Sequence, residues 1–212
     1  QGAYPPGSVF KMVTALAALE AGVIGLGETV YCPGHLQLGQ RKFHCWKRAG
    51  HGKVDLVKSL EQSCDVFYYE VAQRAGIDKI ADMARRLGLG TRHDLPMSAV
   101  TEGLAPDKQW KLAKYKKDWM IGDTLNAGIG QGYVLASPLQ LAVMTARIAS
   151  GRAVTPRLVR SIDGVEQPVA DLQPLGIDAD ILHVVRGGMD EVSNSKRGTA
   201  FSSRIADDSV RM

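Results

Sequence analysis

The sequence has no long hydrophobic run. Nowhere does it offer the roughly 18–20 consecutive apolar residues that a bilayer-spanning helix needs, which excludes such a helix within it. It has no secretory signal, and it opens on Gln1-Gly2-Ala3 without an initiator Met. We therefore expect a piece of a longer protein, with any anchor or targeting segment upstream. Cysteine is scarce and odd in number: Cys32, Cys45 and Cys64 cannot all pair, which argues against a simple disulfide framework. Internal repeats, low-complexity tracts and helix-turn-helix, RNA-recognition or zinc-finger patterns are also missing.

What is present is an ordinary globular composition. The chain has 212 residues, 45% hydrophobic and 23% charged, enough for one sizeable core. The net charge of +4 is unevenly spread. Lys108, Lys111, Lys114, Lys116 and Lys117 crowd beside Trp110, Tyr115 and Trp119. Cations interleaved with aromatics suit phosphates and bases. With no nucleic-acid motif to support that reading, we take the stretch as a solvated loop or face, near anionic lipid headgroups, and expect no nucleic-acid partner.

Punctuation along the chain gives a helix-rich order with few strands. Tyr4-Pro5-Pro6-Gly7 is a rigid turn delivering Ser8 to a helix start. From Val9 to Ala21 only Lys11, Thr14 and Glu20 are polar, so that helix should be buried nearly all round. Residues 23–53 look irregular. Asp55 is placed as an N-cap of a helix through Leu60, and Ser63-Cys64-Asp65 breaks it from a helix over Val66–Ala75 closed by Gly76. Asp78 is expected to cap a further helix to Leu87, and residues 89–127 to be mostly loop. Gly128-Ile129-Gly130-Gln131-Gly132 is a turn, and Ser137-Pro138 an N-cap and N1 pair before an apolar helix through Ile148. Val154–Ile162 reads as an edge strand interrupted by Pro156. Ile181, Val184, Val185, Met189 and Val192 have helical spacing, and Phe201–Ile205 reads as a short strand.

Serine hydroxyl is a weak nucleophile that needs a base within hydrogen-bond reach. Residues three apart share a helix face, so Ser-x-x-Lys can bring an amine to a hydroxyl. The chain holds two copies. Ser193-Asn194-Ser195-Lys196 is polar and beside Arg197, with nothing to desolvate its lysine, and is taken as loop. Ser8-Val9-Phe10-Lys11 sits at a helix N-terminus, where free backbone N–H groups favour developing negative charge. Its lysine is the only cation on a helix that otherwise reads as core.

Tyr4-Pro5-Pro6-Gly7-Ser8-Val9-Phe10-Lys11 resembles the active-site segment of high-molecular-weight class B penicillin-binding proteins. Ser63-Cys64-Asp65, before Val66-Phe67-Tyr68-Tyr69, resembles their second motif. Gly128-Ile129-Gly130-Gln131-Gly132-Tyr133, Ser137-Pro138-Leu139-Gln140 and Arg197-Gly198-Thr199-Ala200 follow in the order of that family. Cys45-Trp46-Lys47-Arg48 and Gly50-His51-Gly52 are similar to segments of its cell-elongation members. The resemblance covers essentially the whole chain.

It implies an α+β fold of the penicillin-binding protein transpeptidase and serine β-lactamase kind, of which residues 1–212 would be a helix-rich, partial domain. It implies a peptidoglycan D,D-transpeptidase at the periplasmic face of the bacterial inner membrane. Ser8 would attack a D-Ala carbonyl of a stem peptide, Lys11 take its proton, and Ser63 relay protons to and from the amines. Asp65 stands where many relatives carry Asn and would orient Lys11 or the substrate amide, although a carboxylate there opposes a neutral lysine. Implied partners are stem peptides and their lipid-linked precursor, β-lactams, and a SEDS-type glycosyltransferase. The third motif, Lys-Thr-Gly or a variant on a sheet-edge strand, is absent and expected beyond Met212. Without it and the sheet strands around it, the chain as it stands is expected not to turn over substrate.

Cys32, Cys45, His51 and Cys64 form C-x12-C-x5-H-x12-C. Three thiolates and an imidazole are a natural tetrahedral set for Zn²⁺. A Cys32–Cys45 disulfide with Cys64 free, or three buried inert thiols, are alternatives, and His35 and His44 are near enough to compete as ligands. The resemblance implies a structural zinc in this segment, within an irregular insertion over residues 22–64. No organic cofactor is expected. Two rival functions remain open on sequence: a β-lactamase or carboxypeptidase that deacylates quickly to water, and a non-catalytic β-lactam sensor or cell-wall scaffold.

Overall fold

The computed structural model describes residues 2–98, 100–168, 171–205 and 207. Pro5 and Pro6 stiffen the entry, Gly7 turns at φ +60°, and a short 3-10 helix, Gly7–Phe10, runs into α1 (Lys11–Glu20). As its composition dictates, α1 is buried on every face from Lys11 to Leu19. A fully buried Leu or Phe contributes about 1.5–3 kcal/mol, so Phe10, Val13 and Leu16, each 1% exposed or less, anchor this element in the core.

Residues 23–53, expected to be irregular, contain β1 (Val30–Cys32), β2 (His35–Leu38), β3 (Arg41–His44) and β4 (Gly52–Val54). They form two antiparallel ribbons. In β1–β4 Cys32 faces Gly52, and in β2–β3 His35 faces His44. Strands of three or four residues in a Gly- and His-rich stretch carry no clear period of two, which hid them.

Asp55 caps α2 (Leu56–Glu61) through the Lys58 N–H, as expected. After the break come α3 (Asp65–Ala75) and α4 (Ile77–Arg86). The N-cap of α4 is Gly76, and Asp78 lies inside its first turn. α1 packs against α3, α4 and, further on, α8. Two helices interrupt the segment expected as loop: α5 (Lys108–Tyr115), capped by Asp107, and α6 (Ile121–Gly128). Lys111 of the basic stretch is buried and paired with Asp123 at 2.5 Å, while Lys108 pairs with Asp78. Trp110, Tyr115 and Tyr133 pack on one another, with centroids 5.2–5.6 Å apart. This stretch is therefore partly a packed cluster, with residues 112–118 exposed.

α7 (Pro138–Ser150) has its Ser137 cap completed by the Gln140 side chain, a reciprocal capping box. Beyond it the expected strand over 154–162 shrinks to β5 (Ser161–Ile162), paired only with β6 (Val165–Glu166). Phe201–Ser203 is a 3-10 turn instead of a strand, because no described chain lies alongside to complete a ladder. α8 (Ala179–Asn194) runs along α2, where Gly188 allows the approach: a Cβ there would lie 2.4 Å from Leu60 Cδ1. The first half of the second Ser-x-x-Lys copy is the end of α8, not loop, with Lys196 exposed beyond it. Among the described residues no helix is long and apolar enough to cross a membrane.

Candidate active site

The segment before Ser8 is held at two points. Tyr4 exchanges both backbone hydrogen bonds with Ala136, at 3.0 and 2.9 Å, and the Gly7 N–H donates to Gly130 O at 2.9 Å. The glycine-rich turn that the sequence singled out thus lies directly under the serine. Ser8 itself is exposed, whereas Lys11, one helical turn on, is 1% exposed.

α3 begins beside them. Ser63 has φ +51°, a left-handed conformation that costs a non-glycine residue about 1–2 kcal/mol. In return it aims both its hydroxyl and its carbonyl at Lys11. Lys11 Nζ donates to Ser63 O at 2.9 Å, to Ser63 Oγ at 2.9 Å and to Asp65 Oδ1 at 2.7 Å. Each of its three N–H bonds has an acceptor. Ser63 Oγ donates in turn to Ser8 Oγ at 2.9 Å. Lys11 is therefore linked to Ser8 through Ser63, which lies 52 and 55 positions from them in the chain, and not by the direct contact that Ser-x-x-Lys spacing suggests. The Tyr68 ring lies 5.6 Å from the ammonium and closes the site from the core side.

Asp65 is fixed at both oxygens: Oδ1 takes Lys11 and Oδ2 takes the Trp46 N–H at 2.9 Å. The Trp46 indole donates to Gln62 O and Ser63 O at 3.0 and 3.1 Å. Trp46 entered the sequence reading only as part of a family segment. Its role here depends on a contact between residues 16–19 positions apart, which no local pattern announces. The serines, Asp65 and Trp46 border a cavity of about 860 Å³.

Cys32, Cys45, His51 and Cys64 are all buried, with ligand atoms within 4.8 Å of one another. His51 Nδ1 lies 3.6 Å from Cys32 Sγ and 3.5 Å from Cys45 Sγ. Among the described residues, His51 Nε2 is buried without a partner. The Cys45 thiol is pulled down to about 5 by the hydrogen bond from Cys64, whose own thiol the same bond and burial push up. None of the three cysteines is in a disulfide. Three soft sulfurs and one imidazole nitrogen converging on one point fit a divalent metal well. His35 and His44 stand outside the cluster, as a cross-strand pair with centroids 6.0 Å apart.

A serine hydroxyl at a helix start, linked through a second hydroxyl in the turn before α3 to a buried lysine, defines an active-serine acyl-transfer class of site. The penicillin binding protein transpeptidase domain family matches residues 1–212. The chain belongs to that family, on its class B, penicillin-binding protein 2 branch. It is 36% identical over 208 residues to peptidoglycan D,D-transpeptidase MrdA of Escherichia coli K12, covering 94% of this chain and 33% of that protein. Pseudomonas aeruginosa penicillin-binding protein 2, solved in complex with WCK 5153, superposes with a TM-score of 0.88 at 38% identity, covering 95% of this chain and 47% of that one. Helicobacter pylori penicillin-binding protein 2, solved in complex with MreC, gives 0.87 at 36%, covering 97% and 38%. The chain spans about a third of the length of the curated relative.

Proposed function

We propose that this chain carries the nucleophile, base and proton relay of a peptidoglycan D,D-transpeptidase active in cell elongation. The observation that carries the reading is the chain of contacts Lys11–Ser63–Ser8. With Lys11 charged, both bonds point toward Ser8. With Lys11 neutral, reversing them carries a proton the other way: Ser8 gives its proton to Ser63 as Ser63 passes its own to Lys11. Ser8 Oγ then bonds to the penultimate D-Ala carbonyl, the C–N bond breaks, and the relay returns a proton to the departing D-Ala amine. An amine of a second stem peptide attacks the ester carbon and gives its proton to the same relay, which returns one to Ser8 Oγ as the ester C–O bond breaks, leaving the cross-link made and Ser8 free. Asp65 orients Lys11 by accepting from its Nζ.

A β-lactam would occupy Ser8 by the same first step and remain there. In the intact protein, a fluorescent penicillin should label Ser8 and persist for hours, and Ser8→Ala should abolish the label. Release within minutes would favour a β-lactamase instead. A labelled protein whose Ser8→Ala form still supports cross-linking would favour a scaffold.

Residues 1–212 are, in this reading, part of a transpeptidase domain working at the periplasmic face of the inner membrane. Its partners there would be lipid-linked peptidoglycan precursor, an MreC-like protein and a SEDS-type glycosyltransferase. Cys32, Cys45, His51 and Cys64 would hold a structural zinc, whose charge neutralises clustered thiolates and ties the ribbons to the second motif.

A further inference from the structure

The cavity beside Ser8 is lined from distant parts of the chain, by Trp46 and Lys47 as well as by Arg197 and Thr199. Glu61, at the end of α2, ties the Arg197–Thr199 segment in place. Its side chain is only 4% exposed. Its Oε1 accepts from Ser195 Oγ at 2.5 Å and from Arg197 Nε at 3.3 Å, and its main-chain O accepts the Thr199 N–H at 3.1 Å. This gives the second Ser-x-x-Lys copy a use: its Ser195 supports a buried carboxylate.

Arg197 is held at Nε alone. Its side chain is 75% exposed, lines the cavity, and has no other partner for its terminal nitrogens among the described residues. Lys47, exposed and also lining the cavity, has no ion pair among the described residues. Lys11 is already matched by Asp65. The cavity thus presents Lys47, with no ion pair among the described residues, and the Arg197 fork, whose Nε is paired with Glu61 while its terminal nitrogens have no partner among them. A fork so placed matches the two oxygens of a carboxylate.

We propose that Arg197 is a carboxylate-binding residue of the substrate cavity, held in place by Glu61, with the charge of Lys47 in the same cavity adding attraction. This rests on the transpeptidase reading and names a specificity contact within it. The carboxylate is either the one at the peptide C-terminus, next to the scissile bond, or one on a peptide side chain.

The test uses the intact protein with Ser8→Ala, so that peptide binding is measured without reaction. Calorimetry would compare an acylated peptide ending in D-Ala-D-Ala and bearing a side-chain carboxylate with its two singly amidated forms. Adding Arg197→Gln should weaken the free peptide roughly tenfold, the scale of one partly exposed charge-assisted hydrogen bond, and less at high salt. Amidating the carboxylate that Arg197 holds should erase this difference, and amidating the other should preserve it. Arg197→Lys should fall between, since charge remains and the fork is lost. Equal affinity for the free peptide with and without Arg197→Gln, or no binding in either case, would overturn the proposal. Acylation of Ser8 in the unsubstituted protein tests the transpeptidase reading separately and can fail on its own.

Discussion

Gly130 lies under Ser8, and a single methyl there should separate folding from acylation. It has φ +70°, and its carbonyl takes the Gly7 N–H one residue before Ser8. A Cβ at this position would stand 2.2 Å from Gly7 O and 2.7 Å from Phe10 Cβ. Relief requires the Gly7 turn to retreat by about 1 Å toward ordinary contact. Left-handed backbone costs alanine about 1–2 kcal/mol, and forcing a methyl into packed structure adds about 1–3 kcal/mol. Gly130→Ala should therefore lose about 2–5 kcal/mol. Moving Ser8 by about 1 Å should cost on the order of a hundredfold in acylation rate, if it is the nucleophile as proposed. Gly132→Ala is the control, because its φ is also +70° while its nearest neighbour is Asn126 Cβ at 3.3 Å. It should show only the backbone cost and keep acylation within a few-fold. The assay is the second-order rate of acylation by a fluorescent penicillin, with urea unfolding of the same preparations. If Gly130→Ala remains folded and acylates as fast as Gly132→Ala, the glycine-rich turn does not position Ser8.

Three further outcomes follow from the same contacts. Asp65→Ala leaves the buried Lys11 charge without its counter-ion and should cost about 3–5 kcal/mol in urea unfolding. Asp65→Asn keeps acceptor geometry and should cost clearly less; equal losses would mean that packing, not charge, is what matters there. Protein purified under reducing, chelator-free conditions should contain one zinc per chain by elemental analysis, lost with Cys45→Ser, and chelation should lower its unfolding temperature; a metal-free preparation of equal stability would remove the zinc reading. Burial pushes Glu61 upward, but hydrogen bonds from Ser195 and Gln62 and the charge of Arg197 outweigh it and hold the carboxyl below its usual 4.5. Its contribution is thus complete above the unfolded value and lost as pH falls through the lower folded one. Glu61→Gln should accordingly lose less stability than the parent between about pH 6 and about pH 3, and a parallel fall in both would count against it.

Elements whose own residues dictate them were legible in the sequence. α1 was marked by a run with only three polar residues, α2 by the Asp55 cap, and α7 by Ser137-Pro138 as N-cap and N1. Elements that depend on a partner were not. The ribbons of 30–54 are short, and each exists through its pairing, so their sequence shows glycines and histidines with no period. The supposed strands at 154–162 and 201–205 fail for the converse reason: β-branched and aromatic residues suit a strand, but a strand forms only against another. In the site, Ser8, Lys11, Ser63 and Asp65 could be named because helix spacing and motif order expose them. Trp46, Glu61 and Arg197 could not be assigned roles, since their contacts join residues 16 to 136 positions apart.

The same division explains where the strain lies. Lys11 opens α1, which the core fixes from all sides, and Ser8 lies in the 3-10 turn just before it, tied down where the Gly7 N–H meets Gly130 O. Ser63 is different: it leaves α2 in a left-handed conformation, and nothing in its own sequence favours that. Its carbonyl is held by Lys11 and by the Trp46 indole, and its next residue, Cys64, is anchored in the thiol–imidazole cluster. Trp46 in turn follows Cys45, another member of that cluster, and its N–H fixes Asp65. The ribbon segment therefore grips both sides of the second motif with two adjacent pairs, Cys45-Trp46 and Cys64-Asp65. A local strain of about 1–2 kcal/mol persists only where surrounding contacts over-determine it. In this chain those contacts come from the cysteine-bearing segment, so loosening the cluster should release Ser63 before it disturbs α1.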